Sequence, residues 1–401
     1  MAKKLSSVLG IDIGSRKIKV CEVRMQGKEP AVTALGIGDT PEGAVDSTGI
    51  YNSEAVGAAL KALIASCGAS VNQVVVSIAG QNSVLVRTLE VPKMNPAELK
   101  DHMQWEINRN IPFAESTVMS DFKPLGGDDP NSANMDVVMA IAPQSAVDTM
   151  LQVIKKAGKT AAAIDVEPLG LARSIQTSYA AELGTKTICM VDMGASTCSI
   201  NIFSGSKLLM PRQIPIGGDM FTRVIADEMQ TSVTEAETIK LTQLTIPENA
   251  AELRSAVVNP FDIPGVPTQE FQPYNPFADD PSPAPMQMAD AAPVPMDDSP
   301  ENRLFNAIAP LLDDFIAEVR RSVDYFRSRG GDIDVVVLCG GGTMIPGLTG
   351  FMSKSLGIEC DAYDPLRRLN VSAKKVAPGF VDEHRQEFAV AIGNGLHILF
   401  D

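Results

Sequence analysis

Two stretches of this chain repeat one another, and no other feature restricts its folding as tightly. LGIDIGSRKIKVCEV, starting at Leu9, and MVDMGASTCSINIFSG, starting at Met190, both run from an apolar strand through Asp and Gly into small or hydroxyl residues and a second strand. Such a segment folds as a hairpin, and two copies of it imply two related lobes. In each copy an Asp ends a buried strand. Gly14 and Gly194 let backbone approach a ligand closely, and the turn N–H groups around Ser15, Ala195, Ser196 and Thr197, with the three hydroxyls, are placed to face phosphate oxygens. Asp12 and Asp192 supply the negative charge that holds Mg2+ through water, because magnesium keeps much of its hydration shell. Lys17 and Lys19, two apart, share one face of the second strand and offset phosphate charge.

A third glycine-rich element follows another buried strand: VVVLCGGGTMIPGLTGFMSKSLGIE, from Val335 to Glu359. Gly340, Gly341 and Gly342 strip side chains from the strand end, where a flat base or ribose lies against bare backbone, and Thr343 begins the following turn. The periodicity predicts a helix from Gly347 to Leu356. Further helices are expected at Glu54–Cys67, Ala97–Asn110, Ala146–Ala157, Phe221–Met229, Thr234–Leu244 (capped by Thr234) and Leu304–Ser328. Strands and helices alternate, so the fold class is α/β. Leu99, Met103, Ile107 and Ile111 recur at a spacing of four and predict an amphipathic helix packed on a sheet.

The pattern breaks between Thr245 and Pro300, which hold twelve of the 27 prolines. Nine acidic residues stand there against Arg254 alone, so this stretch carries -8 of the chain's formal -15. Proline at that density forbids helix or central strand, and a disordered or extended acidic loop is expected. The acidity of the whole chain argues against a phosphate-backbone binder, so no nucleic-acid partner is expected. Cys21, Cys67, Cys189, Cys198, Cys339 and Cys360 form no C-x-x-C, and His102, His384 and His397 stand far from them in sequence. A reducing compartment fits, without a structural zinc. No apolar run reaches the ~18–20 residues that span a bilayer, and the N-terminus does not read as a signal peptide.

The three glycine-rich elements, in this order, resemble the phosphate-1, phosphate-2 and adenosine motifs of the actin-like ATPase superfamily. EPLGLARS from Glu167 and AVAIGNGLHI from Ala389 resemble its two connecting helices, and AETIK its ribose- and base-contacting segment. Within the superfamily the sequence is similar to the PilM family of type IV pilus assembly, through SIAGQNSVLVRTLEVPKM, ELKDHMQWEINRNIPF and IGGDMFTRVIADEMQTSVTEAETIK, and more distantly to FtsA. The resemblance implies an actin-like (ribonuclease H-like) two-lobed ATPase fold with an FtsA/PilM-type inserted 1C subdomain. The first lobe would take residues 1–82 and 160–187, with 376–401 returning as the second connecting helix. The inserted 1C unit would take 83–159 and the second lobe 188–375, interrupted by the acidic loop at 245–300.

It further implies ATP and Mg2+ between the lobes, Asp12 and Asp192 on the metal side, Glu167 positioning the attacking water, and Glu237 and Lys240 at ribose and base. The implied partner is the N-terminal cytoplasmic tail of a PilN-like membrane protein, bound in a groove between subdomains 1A and 1C as part of a pilus assembly platform. The place would be cytoplasmic, at the inner membrane through that partner, with self-association also open. Two departures stand out: Arg16 and Lys17 occupy positions where PilM sequences carry small hydroxyl residues, which makes Lys19 the better phosphate contact, and the acidic Pro-rich stretch lies outside the common family pattern. The basic amphipathic C-terminal helix of FtsA is not seen after the second connecting helix. Two alternatives stay open, an FtsA-like polymer-forming scaffold and a small-metabolite kinase using Asp165 or Asp192 as base.

Overall fold

The computed structural model describes residues 5–80, 83–113, 117–126, 131–247, 250 and 300–400. The repeated motif folds as two hairpins: β1 (Ser7–Ile13) with β2 (Lys17–Gln26), and β9 (Thr187–Met193) with β10 (Cys198–Ser204). Each hairpin seeds one sheet. In the first, β3 (Glu29–Asp39) extends the antiparallel meander, and β4 (Gln73–Ile78) and β8 (Thr160–Val166) join in parallel on the far side of β1. In the second, β11 (Lys207–Ile214) extends the meander, and β12 (Val335–Cys339) and β13 (Cys360–Ala362) join in parallel beyond β9. The two lobes therefore follow one plan. Val8, Leu9 and Ile11 of β1, like Val191 and Met193 of β9, are fully buried, as central strands covered on both faces must be.

Helices supply that cover. On the first sheet lies α1 (Ser53–Cys67), whose Asn52 side chain accepts from the Ala55 N–H at 3.0 Å. The second sheet is covered by a long helix at Pro300–Ser328, which presents Phe305, Ile308, Leu312, Phe315 and Val319, spaced three and four apart, to one core. Between the lobes, a helix at Glu167–Ser178 crosses one at Ala389–Gly395. They touch through glycine: a Cβ on Gly393 would fall 1.9 Å from the Gly170 carbonyl oxygen. Asn394 fixes the crossing to the first sheet, donating to the Ile11 carbonyl at 2.9 Å and accepting from Ser77 Oγ at 2.9 Å. On the second lobe, a helix at Gly218–Met229 is followed by one at Val233–Thr242. The cap of the latter is Ser232, whose side chain accepts from the Glu235 N–H, rather than the expected Thr234.

A separate antiparallel sheet, ordered β5-β7-β6, lies to one side: β5 (Leu85–Pro92), β6 (Val118–Pro124) and β7 (Asn134–Pro143). The helix α2 (Pro96–Asn110) covers it with the expected stripe, Leu99, Met103 and Ile107, packed on Val137, Met139 and Ile141. The helix α3 (Gln144–Lys156), expected inside this unit, instead sends Met150, Val153 and Ile154 into the core of the first lobe beside Leu60 and Ile64. The inserted sheet thus ends at Pro143. It reaches the second lobe through Thr88 Oγ1 on the Leu209 carbonyl (2.6 Å) and Lys207 on Asp136 (2.7 Å).

Two further boundaries differ from the expected ones. β14 (Asn370–Val371) pairs with β3 in the first sheet, and Leu366 and Leu369 pack there, so the return to the first lobe begins before residue 376. Ile246 and Ala250 are buried in the second-lobe core, so the first residues expected in the acidic loop are packed; most of that loop lies outside the described residues. Among the described residues, no helix is long and apolar enough to cross a membrane.

Candidate functional site

The two hairpin turns meet across a cleft of about 470 Å³. Each turn is closed by the same backbone bond, Gly14 N–H to the Lys17 carbonyl (3.0 Å) and Gly194 N–H to the Thr197 carbonyl (2.9 Å). Their tips touch, with Ser15 Oγ 2.6 Å from Ser196 Oγ. The Gly340–Gly342 turn follows β12, which pairs with β9 so that Cys339 lies opposite Asp192. Side chains are excluded from this turn by space: a Cβ on Gly340, at φ 84°, would fall 2.4 Å from Asp192 Oδ1, and one on Gly342 2.6 Å from Met193 Cγ. Asp12, Ser15, Lys19, Glu167, Asp192, Glu237 and Lys240 line the same cleft as the three glycine turns. Thr343 does not join them: it is buried, and its hydroxyl donates to the Gly340 carbonyl at 2.8 Å, bracing the turn from behind.

Negative charge dominates the floor. Asp12 is paired with Lys19 Nζ at 3.0 Å. Burial alone would lower the Lys19 amine, but Asp12, by charge and hydrogen bond, with Glu387 and Asp192, holds it above its usual value. Asp192 has no such partner among the described residues, and burial together with the Asp12 charge pushes it up to about 6. Glu167, at the first position of its helix, is pushed up to about 8 by burial and then by Asp192 and Asp12. Three carboxylates thus face one ammonium. Among the described residues no three Asp, Glu, His or Cys side chains close into a protein cage for a metal. Such a floor suits a cation held by one or two carboxylates and completed by water and phosphate, the usual manner of magnesium.

The second-lobe wall is already ordered. Lys240 is buried and donates to the Gly218 carbonyl (3.2 Å), Thr222 Oγ1 (2.9 Å) and Glu237 Oε2 (2.8 Å). Burial would raise Glu237, yet the bonds from Lys240 and Thr222 hold it below the usual carboxylate range. Lys17 turns outward to Asp39 at the rim, at 2.7 Å. Asp165, the alternative kinase base, accepts from Arg173 at 2.5 Å and from the Val166 N–H at 2.8 Å and does not line the cleft. Of the two alternative kinase bases, Asp192 alone lines the cleft.

Sequence reasoning missed Glu387 and His384 on the cleft wall. His384 Nδ1 lies 2.8 Å from Glu387 Oε1, and a Cβ on Gly341 would sit 3.2 Å from Glu387 Oε2, so the carboxylate lies over the bare glycine turn. The signal was an acid and a histidine three residues apart, directly before the second connecting helix. A second groove, of about 280 Å³, opens on the first lobe where the inserted unit joins it, lined by Tyr51, Ile78, Ser83, Pro143, Ala146 and Thr149. Gly49, Ile50, Ala79 and Met150 belong to the walls of both the groove and the cleft.

The family model described as type IV pilus assembly protein PilM matches residues 10–264. The chain belongs to the PilM family. Along 99% of both chains, this PilM-family protein is similar to the structure of a PilM-PilN type IV pilus biogenesis complex, at 25% identity and a TM-score of 0.76. Ethanolamine utilization protein EutJ from Carboxydothermus hydrogenoformans shares the fold at 14% identity and a TM-score of 0.51, over 98% of this chain and 91% of that one. A model of cell division protein FtsA matches residues 189–393. FtsA of Pseudomonas aeruginosa is 26% identical over 258 residues and FtsA of Neisseria meningitidis serogroup B 22% identical over 254, each match covering 58% of this chain. The chain spans about 60% of the length of these curated relatives. The actin-like, two-lobed fold expected from the three glycine motifs is the fold of this family.

Proposed function

We propose that this PilM-family chain is a nucleotide-binding scaffold on the cytoplasmic side of type IV pilus, or related, assembly. ATP with Mg2+ occupies the interlobe cleft, and the N-terminal cytoplasmic tail of a PilN-like membrane protein occupies the groove beside the inserted unit. The observation that carries this reading is the likeness along 99% of both chains to a PilM-PilN complex. The cleft fits its part. The backbone N–H groups of Ser15 and of Ala195–Thr197, with Lys19, face the phosphates, Glu237 and Lys240 the ribose side, and the Gly340–Gly342 turn the base, while the Gly14 and Gly194 N–H groups close the two turns. Asp12 and Asp192 hold Mg2+ through water, and the bound ion neutralises phosphate charge on the otherwise crowded carboxylate floor. The groove suits an extended peptide with apolar anchors, which gains main-chain hydrogen bonds at its walls.

Turnover is expected to be slow. Burial and the Asp192 and Asp12 charges raise Glu167, which disfavours its carboxylate form in the ligand-free cleft. A scaffold needs no fast chemistry, and turnover matching a metabolic kinase and lost in Glu167→Ala would contradict this assignment.

Cleft and groove share a wall, and the inserted unit touches the second lobe at Thr88 and Asp136, so nucleotide state biases tail affinity by up to a few kcal/mol. The test is titration of synthetic cytoplasmic tails of candidate membrane partners into the full chain with ATP, ADP or neither. Binding that differs with the nucleotide supports the whole reading. Equal affinities remove the coupling, and no binding removes the partner. A polymerising scaffold is the second reading, favoured by the FtsA model match over 189–393; pelleting of the protein with ATP and not without it would establish it.

A further inference from the structure

Arg16 breaks the symmetry of the repeat at the tip of the first turn. The hairpin registers, Asp12 opposite Lys19 and Asp192 opposite Ser199, make Arg16 the counterpart of Ser196. Its side chain is not solvated at random. Arg16 Nε donates to Asp219 Oδ1 at 2.8 Å, crossing the cleft from a first-lobe turn to the start of the second-lobe helix at Gly218–Met229.

Asp219 is itself fixed to the second turn. Its backbone N–H donates to the Ala195 carbonyl at 2.8 Å, and that of Gly218 to the Gly194 carbonyl at 2.9 Å. The Asp219 side chain is only 19% exposed, and both members of the pair line the cleft. An unpaired carboxylate at this place would repel phosphate; the guanidinium cancels it. A guanidinium has five donors in a rigid fork, and the pair uses Nε alone. Among the described residues the terminal nitrogens of Arg16 carry no protein partner, and 44% of the side chain is exposed. Its charge also reaches Glu237 on the opposite wall.

We propose that Arg16 is a further ligand-binding residue of the cleft: Asp219 holds the guanidinium between the two turns, and its terminal N–H groups take phosphate oxygens of a nucleoside di- or triphosphate, so that one side chain ties both lobes to the ligand. The inference rests on the nucleotide-binding reading above. Arg16 makes the contact, and Asp219 is a positioning residue that acts only through it.

The experiment is calorimetric titration of the full chain with ATP and ADP in Mg2+, with adenosine read by competition. The variants are Arg16→Ser, Arg16→Lys, Asp219→Ala and the double variant, each checked for folding by thermal unfolding. Arg16→Ser weakens ATP and ADP about 10–100-fold, the worth of charge-assisted bonds, and leaves adenosine within about twofold. Arg16→Lys recovers part of the loss, because it keeps the charge without the fork. Asp219→Ala weakens ATP about threefold, and the double variant is no weaker than Arg16→Ser alone. Unchanged ATP affinity in a folded Arg16→Ser variant, or an equal loss for adenosine, overturns the inference while leaving the nucleotide site standing. Failure of the wild-type chain to bind any nucleotide overturns the nucleotide reading and the inference with it.

Discussion

The two hairpin turns are copies in backbone and opposites in charge. Both close with a Gly N–H on a carbonyl three residues on, and both present an Asp at the same strand position. Opposite Asp12 the first copy places Lys19, which pairs with it at 3.0 Å; opposite Asp192 the second copy places Ser199, whose hydroxyl is engaged by Asn201 at 3.1 Å. One turn therefore neutralises its own carboxylate. The other leaves its carboxylate half-buried with no cation paired to it among the described residues, and the stress appears in Asp192 and in neighbouring Glu167, both raised. A site built this way is relieved by a ligand that brings positive charge. The duplication repeats the backbone cradle, and the Lys-to-Ser difference at positions 19 and 199 leaves one carboxylate paired and the other not.

The largest effect on this contrast is expected from Lys19→Met, which leaves Asp12, Asp192 and Glu167 without their shared cation. Breaking a buried pair by removing one partner costs about 3–5 kcal/mol, to be read as a lower urea midpoint at pH 7.5. Because the Lys19 amine is held above 10.5 in the fold, the wild-type advantage is fully present below that pH and fades as pH rises through the folded value.

Asp192→Asn should do the reverse, stabilising the ligand-free protein by about 2 kcal/mol at pH 7.5 while weakening Mg2+-dependent nucleotide binding. The sign follows from carboxylates raised by folding, whose penalty is absent below the unfolded values of 3.8 and 4.5. It grows as pH climbs toward about 6 for Asp192 and about 8 for Glu167. Ligand-free wild type thus loses stability across this window, and Asp192→Asn flattens the lower part of the slope. A wild-type stability that rises over the same range contradicts the charge assignment. The smallest effect belongs to Ser199→Ala, the site equivalent to Lys19, where one side-chain hydrogen bond is lost and about 1 kcal/mol is expected. Equal costs at positions 19 and 199 would dissolve the comparison.

Much of this plan was readable from residues. The Gly340–Gly342 turn announces itself because only glycine permits the close approaches seen at Gly340 and Gly342, and the Leu99–Met103–Ile107 stripe named its own buried face. The boundary at Pro143 was not readable, since the apolar face of α3 shows that it packs but not on which sheet. The same limit hid Ile246 and Ala250, two apolar residues at the edge of a proline-rich run that are buried only because the second-lobe core lies beside them. Gly170 and Gly393 were open to inference: glycine inside a helix costs about 1 kcal/mol against alanine and so signals close approach, here of the two connecting helices. Glu387 and His384 left only a weak local signal, an acid and a histidine three residues apart, and it is the fold that brings them to the cleft. The partner of Arg16 lies 203 positions away, which no local pattern encodes.

The central claim, that the unequal turns form a cation-dependent nucleotide site, is tested most directly by titrating ATP into the full chain with Mg2+ and again with a chelator. The charge balance predicts binding with Mg2+ and at least about tenfold weaker binding without it, since ATP then brings more negative charge to an uncompensated floor. Binding that is equally tight without the ion, or no binding in either condition, would contradict it.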